Sequence, residues 1–229
     1  MKKIVVTLLM LSLIITPIFA NPRPSNNNNT LYIVIGVVSV LTLGIGYMIY
    51  DMVTNHDKVE FVNEEVNLTI NDNNSIDVDG VYRFSRTGES IKSFEIVYPF
   101  PDQQEFGEIE IKSLMINNKE VEFHRFELTR YNRITLNLSF DDSDNCEMLI
   151  SFTQIPTNSS YKYILRSTRK WKKELEKSTI NVILPASFNF ESNYSELAQV
   201  NSDDTISEFS MIKNQFYPDK DLFINWTDQ

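Results

Sequence analysis

Cysteine, histidine and glycine are scarce in this chain of 229 residues, which contains one, two and six of them respectively. The single cysteine, Cys146, excludes an intramolecular disulfide and leaves the redox state of the compartment open. The fold must therefore be held by its hydrophobic core. Structural zinc sites take their ligands mainly from Cys and His. We predict no metal site of that kind.

Residue pairs suited to nucleophilic catalysis are equally few. His124 and Cys146 are the candidate His–Cys pair, but no local signature surrounds Cys146, which is more simply explained as a small apolar residue on a strand. Segment 75–80 resembles the start of a calcium-binding EF-hand loop, yet Arg86 stands where that motif needs a glutamate. We predict no catalytic residue, no cofactor and no metal ligand. A carboxylate-dependent hydrolase stays open as a minor alternative, because the chain has 31 acidic residues.

Basic residues are outnumbered 21 to 31 by acidic ones, and the net charge is −10. This balance argues against nucleic acid as a partner, because phosphate binding needs a positive field. One segment departs from the acidic background. It comprises Arg166, Arg169, Lys170, Trp171, Lys172 and Lys173. We identify this patch as the candidate site for an anionic partner, while the simpler interpretation is a solvated loop that balances the acidic surface.

Long uncharged runs occur only near the start of the chain. Residues 1–20 have a basic beginning, an apolar middle, Pro17 and a terminal Ala20, which is the layout of a signal peptide. Ile18 is larger than the residue usually found before such a cut, so an uncleaved signal anchor is the alternative. Residues 31–50 carry no charge, and at about 1.5 Å per residue they cross a hydrocarbon core of about 30 Å. We predict a polar spacer at 21–30 and a single transmembrane helix at 31–50, which contacts membrane lipid.

Charges beside segment 31–50 give opposing indications about the side of the membrane. If both apolar segments insert with Lys2 and Lys3 inside, the C-terminal domain is cytoplasmic. Asp51, Asp57 and the other acidic residues after the segment contradict the positive-inside tendency for that arrangement. We predict the outer face of the membrane, with the cytoplasmic side as the alternative.

The region 55–229 alternates apolar and polar residues with a period of two, which is typical of strands with one buried face. The alternating apolar positions include Val66/Leu68/Ile70, Ile76/Val78, Ile134/Leu136/Leu138, Met148/Ile150/Phe152 and Ile180/Val182/Leu184. Turn-forming segments rich in Asn, Asp, Gly and Pro separate these runs. The pattern predicts a mainly β domain, an antiparallel β-sandwich of about eight to ten strands.

Two aromatic-rich segments carry a resemblance to a known group of proteins. Segment 161–175 begins Tyr-Lys-Tyr and contains Trp171, and segment 216–226 ends at Trp226. Together they resemble uncharacterised, membrane-anchored β-domains of the bacterial cell envelope. The resemblance implies a sandwich in which both tryptophans pack on the core, and it implies no activity.

These observations predict a membrane-anchored, non-enzymatic β-sandwich module that binds a protein or a component of the cell envelope. The alternative is a structural subunit of a membrane complex, in which segment 31–50 is itself an interface. The oligomeric state is not encoded in any pattern of this sequence.

Overall fold

The computed structural model describes residues 58–88, 91–123, 132–141 and 143–228. The chain divides into two compact units, Met1–Asn55 and His56–Gln229, and the described residues all belong to the second. The segments 1–20, 21–30 and 31–50, together with His124, lie outside the described residues. Within the described ranges, no helix has the length and apolar character needed to cross a membrane.

The described part of the chain is mainly β, as predicted. It contains thirteen strands, one short α-helix and one 3-10 helix. The strands are β1 (Val59–Ile70), β2 (Ile76–Arg86), β3 (Ser93–Pro99), β4 (Ile109–Ile116), β5 (Lys119–Glu120), β6 (Arg133–Ser139), β7 (Asn145–Gln154), β8 (Ser160–Tyr163), β9 (Leu175–Pro185), β10 (Phe188–Ser192), β11 (Ala198–Ser202), β12 (Ile206–Phe216) and β13 (Leu222–Asp228). The α-helix α1 spans Gln103–Phe106, and the 3-10 helix spans Arg166–Trp171.

The strands form one large sheet and two small ones. The large sheet has the order β11-β12-β9-β1-β2-β7-β4-β5, while β10-β13-β8 and β3-β6 form sheets of three and two strands. Both small sheets contact one face of the large sheet. The hydroxyl of Tyr82 on β2 bonds to Tyr98 on β3 and to Tyr163 on β8, and Phe190 on β10 packs on Phe209 of β12. The core lies between these layers.

The prediction of a purely antiparallel arrangement was wrong in one respect, because β1 pairs in parallel with β9. Asn63 of β1 lies opposite Lys177, and Thr69 lies opposite Ile183. Every other strand pair in the described sheets is antiparallel. Alternation along a strand predicts which face is buried but carries no information about the direction of its neighbour. The large sheet is therefore mixed.

A β-bulge in β1 decides which acidic side chain enters the core. The pairing of β1 with β2 shifts register between Phe61 and Asn63. Val59 and Phe61 are buried before the shift, and Glu64 and Val66 are buried after it. An extra residue in one strand exchanges the two faces for everything that follows. Glu64 thus points inward, while its neighbour Glu65 is exposed.

Candidate functional site

A pocket lies between the large sheet, β3 and the 3-10 helix, and its volume is about 60 Å³. It has room for a few water molecules or for one small chemical group. We call it the Glu64 pocket. Its lining residues are Phe61, Glu64, Tyr82, Phe84, Ile96, Val97, Tyr98, Pro99, Met148, Tyr163, Ile164, Ser167, Thr168 and Trp171.

The Glu64 pocket runs from a half-exposed rim to a buried floor. At the rim, Val97 is 41% exposed, and Ser167 and Trp171 are half-buried. At the floor, the side chain of Glu64 is buried with only 3% of the residue exposed, and Met148 is also buried. An apolar cleft with a few convergent polar groups at its base is the usual form of a small-ligand site.

Glu64 is held at the floor by hydroxyl groups. Ser178 on β9 donates a hydrogen bond of 2.7 Å to Oε1, and Tyr163 on β8 donates one of 3.5 Å to Oε2. Burial raises the pKa of Glu64 to about 7, and the two hydrogen bonds only partly oppose this rise. The ion pairs of the described residues do not include Glu64. The carboxyl therefore titrates near neutral pH without a cationic neighbour in this part of the chain.

Three tyrosine hydroxyls form a chain that ends on Glu64. Tyr82 bonds to Tyr98 and to Tyr163, each at 2.8 Å, and Tyr163 contacts the carboxylate. Burial raises the pKa of each of the three phenols well above its usual value, so they stay protonated at neutral pH. Each phenol has one proton to donate. When Glu64 is ionised, every proton can point along the chain toward the carboxylate, so Tyr98 donates to Tyr82, Tyr82 donates to Tyr163 and Tyr163 donates to Glu64. The Tyr98 oxygen at the far end can then accept a further hydrogen bond.

Gly80 makes room for this chain. It lies two residues before Tyr82 on the same buried face of β2, and a Cβ built on it would lie 2.5 Å from the Tyr82 hydroxyl oxygen. Any side chain at this position would push the tyrosine ring away from its two partners. The close approach of the Tyr82 hydroxyl therefore explains the glycine, since no turn occurs within this strand.

Aromatic rings form one wall of the Glu64 pocket. The Trp171 ring lies 6.0 Å from Phe61, 5.5 Å from Phe84 and 5.7 Å from Phe94, measured between ring centroids. Phe61 and Phe84 stack at 5.0 Å. Such a wall supplies apolar area together with ring faces that attract cations.

The residues of the predicted anion-binding patch lie on one turn, residues 166–173, which we call the basic turn. Arg166, Arg169, Lys170, Lys172 and Lys173 are exposed. Trp171 instead turns inward and forms part of the Glu64 pocket. Lys172 ends the 3-10 helix with a left-handed backbone, φ 58°. The basic turn is thus the outer surface of an element whose inner surface lines the pocket.

Two of the basic side chains have defined partners. Arg169 lies over the ring of Tyr217 at 4.9 Å, and Lys173 forms an ion pair with Glu60 on β1. The backbone N–H of Arg166 donates to the Asp221 carboxylate at 2.9 Å. These contacts hold the turn against β1 and the β12–β13 connection while leaving its cationic groups at the surface.

Two other sequence candidates, Cys146 and Asp77, are not among the residues that line this pocket. Cys146 is buried on β7, and burial raises the pKa of its thiol, which disfavours the reactive thiolate. Asp77, from the EF-hand-like segment, pairs with Lys112 at 2.6 Å and accepts from Thr153. These hydrogen bonds outweigh burial and lower its pKa. Within the described residues, no group of His, Cys, Asp and Glu is arranged to hold a metal ion.

Glu64 and the tyrosine chain were not among the site residues predicted from the sequence, although the sequence contains one signal of them. Extending the alternation of Val66, Leu68 and Ile70 backward places Glu64 on the buried face. The same rule applied forward from Val59 and Phe61 places Glu64 on the opposite, exposed face. The two phases conflict, and such a conflict inside one strand is a sign of a bulge.

No protein-family model matches the chain, and no curated relative matches its sequence. Solved structures that match part of the chain include a putative protease from Parabacteroides distasonis ATCC 8503, with 12% identity and a TM-score of 0.43 over 75% of this chain and 40% of that one. They also include an M1 zinc metallopeptidase from Deinococcus radiodurans, with 10% identity and a TM-score of 0.46 over 73% and 42%. Yeast LTA4 hydrolase matches with 10% identity and a TM-score of 0.46, over 76% of this chain and 29% of its own. The chain thus spans less than half the length of each protein, and none of their activities is carried over to it.

Proposed function

We propose that this protein is a membrane-anchored binding module of the β-sandwich type and that the Glu64 pocket is its ligand site. The observation that supports this proposal is the form of the pocket. A half-exposed rim and an aromatic wall lead to a floor that carries one carboxyl group and three phenol hydroxyls. Such a floor orients a ligand through a small number of placed polar groups. The ligand is a small polar group presented by a protein or by an envelope component.

Binding suits this geometry better than carboxylate catalysis. Glycoside hydrolysis by carboxylates needs two such groups about 5 to 9.5 Å apart, one on each side of the bond that is cleaved. Among the described residues that line the pocket, Glu64 is the one with a carboxyl group. Its partners Ser178 and Tyr163 are hydroxyls that hold the carboxyl in place.

We place the domain at the membrane through segment 31–50, on the outer face. The support is the length and uncharged character of that segment, together with the acidic residues that follow it. Reporters fused to the C-terminus test the side directly. An enzyme that is active only outside the cytoplasm should give signal, and a protein that fluoresces only inside should not. The reverse pattern would put the domain in the cytoplasm.

A photo-crosslinking amino acid at position 97 tests the pocket as the ligand site. Val97 lies at the rim, and Val200 on the edge strand β11 is an exposed valine outside the pocket lining, so it serves as the matched control position. We expect adducts from position 97 in intact membranes and none from position 200. Ser167→Phe, which fills the pocket, should abolish them. Equal adducts from both positions, or adducts that persist with Ser167→Phe, would contradict the assignment.

The structural-subunit alternative predicts a different result. Replacing segment 31–50 by an unrelated transmembrane helix would then remove the partners that co-purify with the protein. In the binding-module proposal the same replacement leaves the adducts from position 97 intact.

A further inference from the structure

Glu64 lacks a cationic partner within the described residues. A buried carboxylate is costly unless it is paired, and a cation that enters the pocket removes that cost. The shorter hydrogen bond, from Ser178, goes to Oε1 at 2.7 Å, while Oε2 has only the 3.5 Å contact with Tyr163. Oε2 therefore has lone pairs available for a further donor.

The walls of the pocket favour the same kind of group. Phe61, Tyr82, Phe84 and Trp171 line it with aromatic rings, whose faces attract a desolvated cation. The volume of about 60 Å³ suits a primary ammonium with one or two methylene groups. Tyr82, Tyr98 and Tyr163 also line the pocket, and their phenol oxygens are the further acceptors that it offers to N–H groups.

The basic turn restricts which ammonium compounds fit. Ser167, Thr168 and Trp171 line the pocket, and the exposed Arg166, Lys170 and Lys172 alternate with them along the chain. A simple cation is repelled by this surface. A ligand whose ammonium lies a few bonds from an anionic group satisfies the floor and the turn together. Arg and Lys bind both carboxylate and phosphate, and a phosphate offers them more negative charge and three strong acceptor oxygens.

We infer that the Glu64 pocket binds the primary ammonium of an aminoalkyl phosphate, with the phosphate against the basic turn. The inference rests on the proposed function, because it names the ligand class of that same pocket. Glu64 supplies the ionic contact, the aromatic wall surrounds the methylene groups, and Lys170 and Lys172 contact the phosphate. Free phosphoethanolamine and the same group on a lipid or glycan share this chemistry.

The first test is calorimetry on the full chain in dodecyl maltoside at pH 8, with phosphoethanolamine, ethyl phosphate and methylammonium as probes. We expect phosphoethanolamine to bind at least about tenfold more tightly than either fragment. Glu64→Gln keeps the shape and removes the charge, and it should weaken phosphoethanolamine at least about tenfold. Glu65→Gln, on the exposed face of the same strand, should leave the affinity unchanged. Lys170→Ser with Lys172→Ser should weaken phosphoethanolamine without weakening methylammonium.

The pH dependence of the affinity is a second measurement, and it would not change if Glu64 had a merely structural role. Among the residues that the structure describes, the titratable groups that interact with Glu64 are Tyr82, Tyr98 and Tyr163, which stay neutral between pH 6 and 8. Ammonium binding needs the ionised carboxylate. With a pKa of about 7, the affinity should fall about tenfold from pH 8 to pH 6, and binding at pH 6 should release a proton to the buffer.

Three results would overturn the inference: Glu64→Gln binding like the natural protein, ethyl phosphate binding as tightly as phosphoethanolamine, or no heat from any probe. None of them would by itself contradict the proposed function, because photo-adducts from position 97 report a partner of any chemistry. A further experiment in lipid nanodiscs then distinguishes the lipid headgroup from the free or glycan-bound group as the source of the ligand. Phosphatidylethanolamine in the disc should compete with free phosphoethanolamine if the lipid headgroup is the ligand, and it should not compete if the free or glycan-bound group is.

Discussion

Glu64→Gln should make the domain more stable at alkaline pH. Burial raises the pKa of Glu64 to about 7 in the folded chain, against an ordinary value of 4.5. Folding therefore favours the protonated acid. The stability contributed by the protonated carboxyl is fully present below pH 4.5 and is lost as the pH rises through 7. The difference between the two pKa values corresponds to about 3 kcal/mol above pH 8. Glutamine resembles the protonated acid in shape and never ionises, so the variant avoids this loss.

Urea denaturation at pH 5 and pH 8.5 measures the effect, with the fluorescence of Trp171 and Trp226 as the signal. The gain in unfolding free energy from Glu64→Gln should be larger at pH 8.5 than at pH 5 by about 2 to 3 kcal/mol. Glu65→Gln is the control and should change stability by less than about 0.5 kcal/mol at both values. An equal effect of Glu64→Gln at the two pH values would refute the assignment of a buried, unpaired carboxyl.

Three further perturbations test the surroundings of the pocket. Gly80→Ala should lower the free energy of unfolding by about 1 to 3 kcal/mol, since the new methyl group meets the Tyr82 ring. Urea denaturation measures this change, and an unchanged free energy of unfolding would contradict the close approach. Trp171→Ala removes three ring contacts and should lower the free energy of unfolding by about 2 to 4 kcal/mol in the same assay, whereas Trp171→Phe should cost less. The Cys146 thiol should resist Ellman's reagent until urea unfolds the domain, and rapid labelling of the folded protein would show that β7 opens locally.

The strands could be predicted because burial on one face imposes a period of two. Ile134, Leu136 and Leu138 on β6, and Met148, Ile150 and Phe152 on β7, are buried as their alternation indicates. Alternation does not indicate which strands pair with each other. The parallel pairing of β1 with β9 joins segments that are more than a hundred residues apart, and it depends on the packing of the whole core.

The site was harder to predict than the fold, because its residues are ordinary when considered singly. Tyr82, Tyr98 and Tyr163 occupy apolar positions in three strands and look like core aromatics. Only their convergence on Glu64 gives them a polar role. The basic turn drew attention in the sequence through its charge, yet its inward residue Trp171 is the one that lines the pocket.

The parallel pairing of β1 with β9 also has a consequence for how the protein is made. Glu64 meets Tyr163 across 99 residues and Ser178 across 114, so both partners leave the ribosome long after the carboxyl group does. Contacts of such sequence separation form slowly, because a long loop must close before they gain anything. A nascent or truncated chain can pair β1 with β2 as a hairpin, but it holds no pocket. A ligand of the Glu64 pocket would therefore distinguish finished molecules from unfinished ones, and its binding could serve as an assay for completed folding.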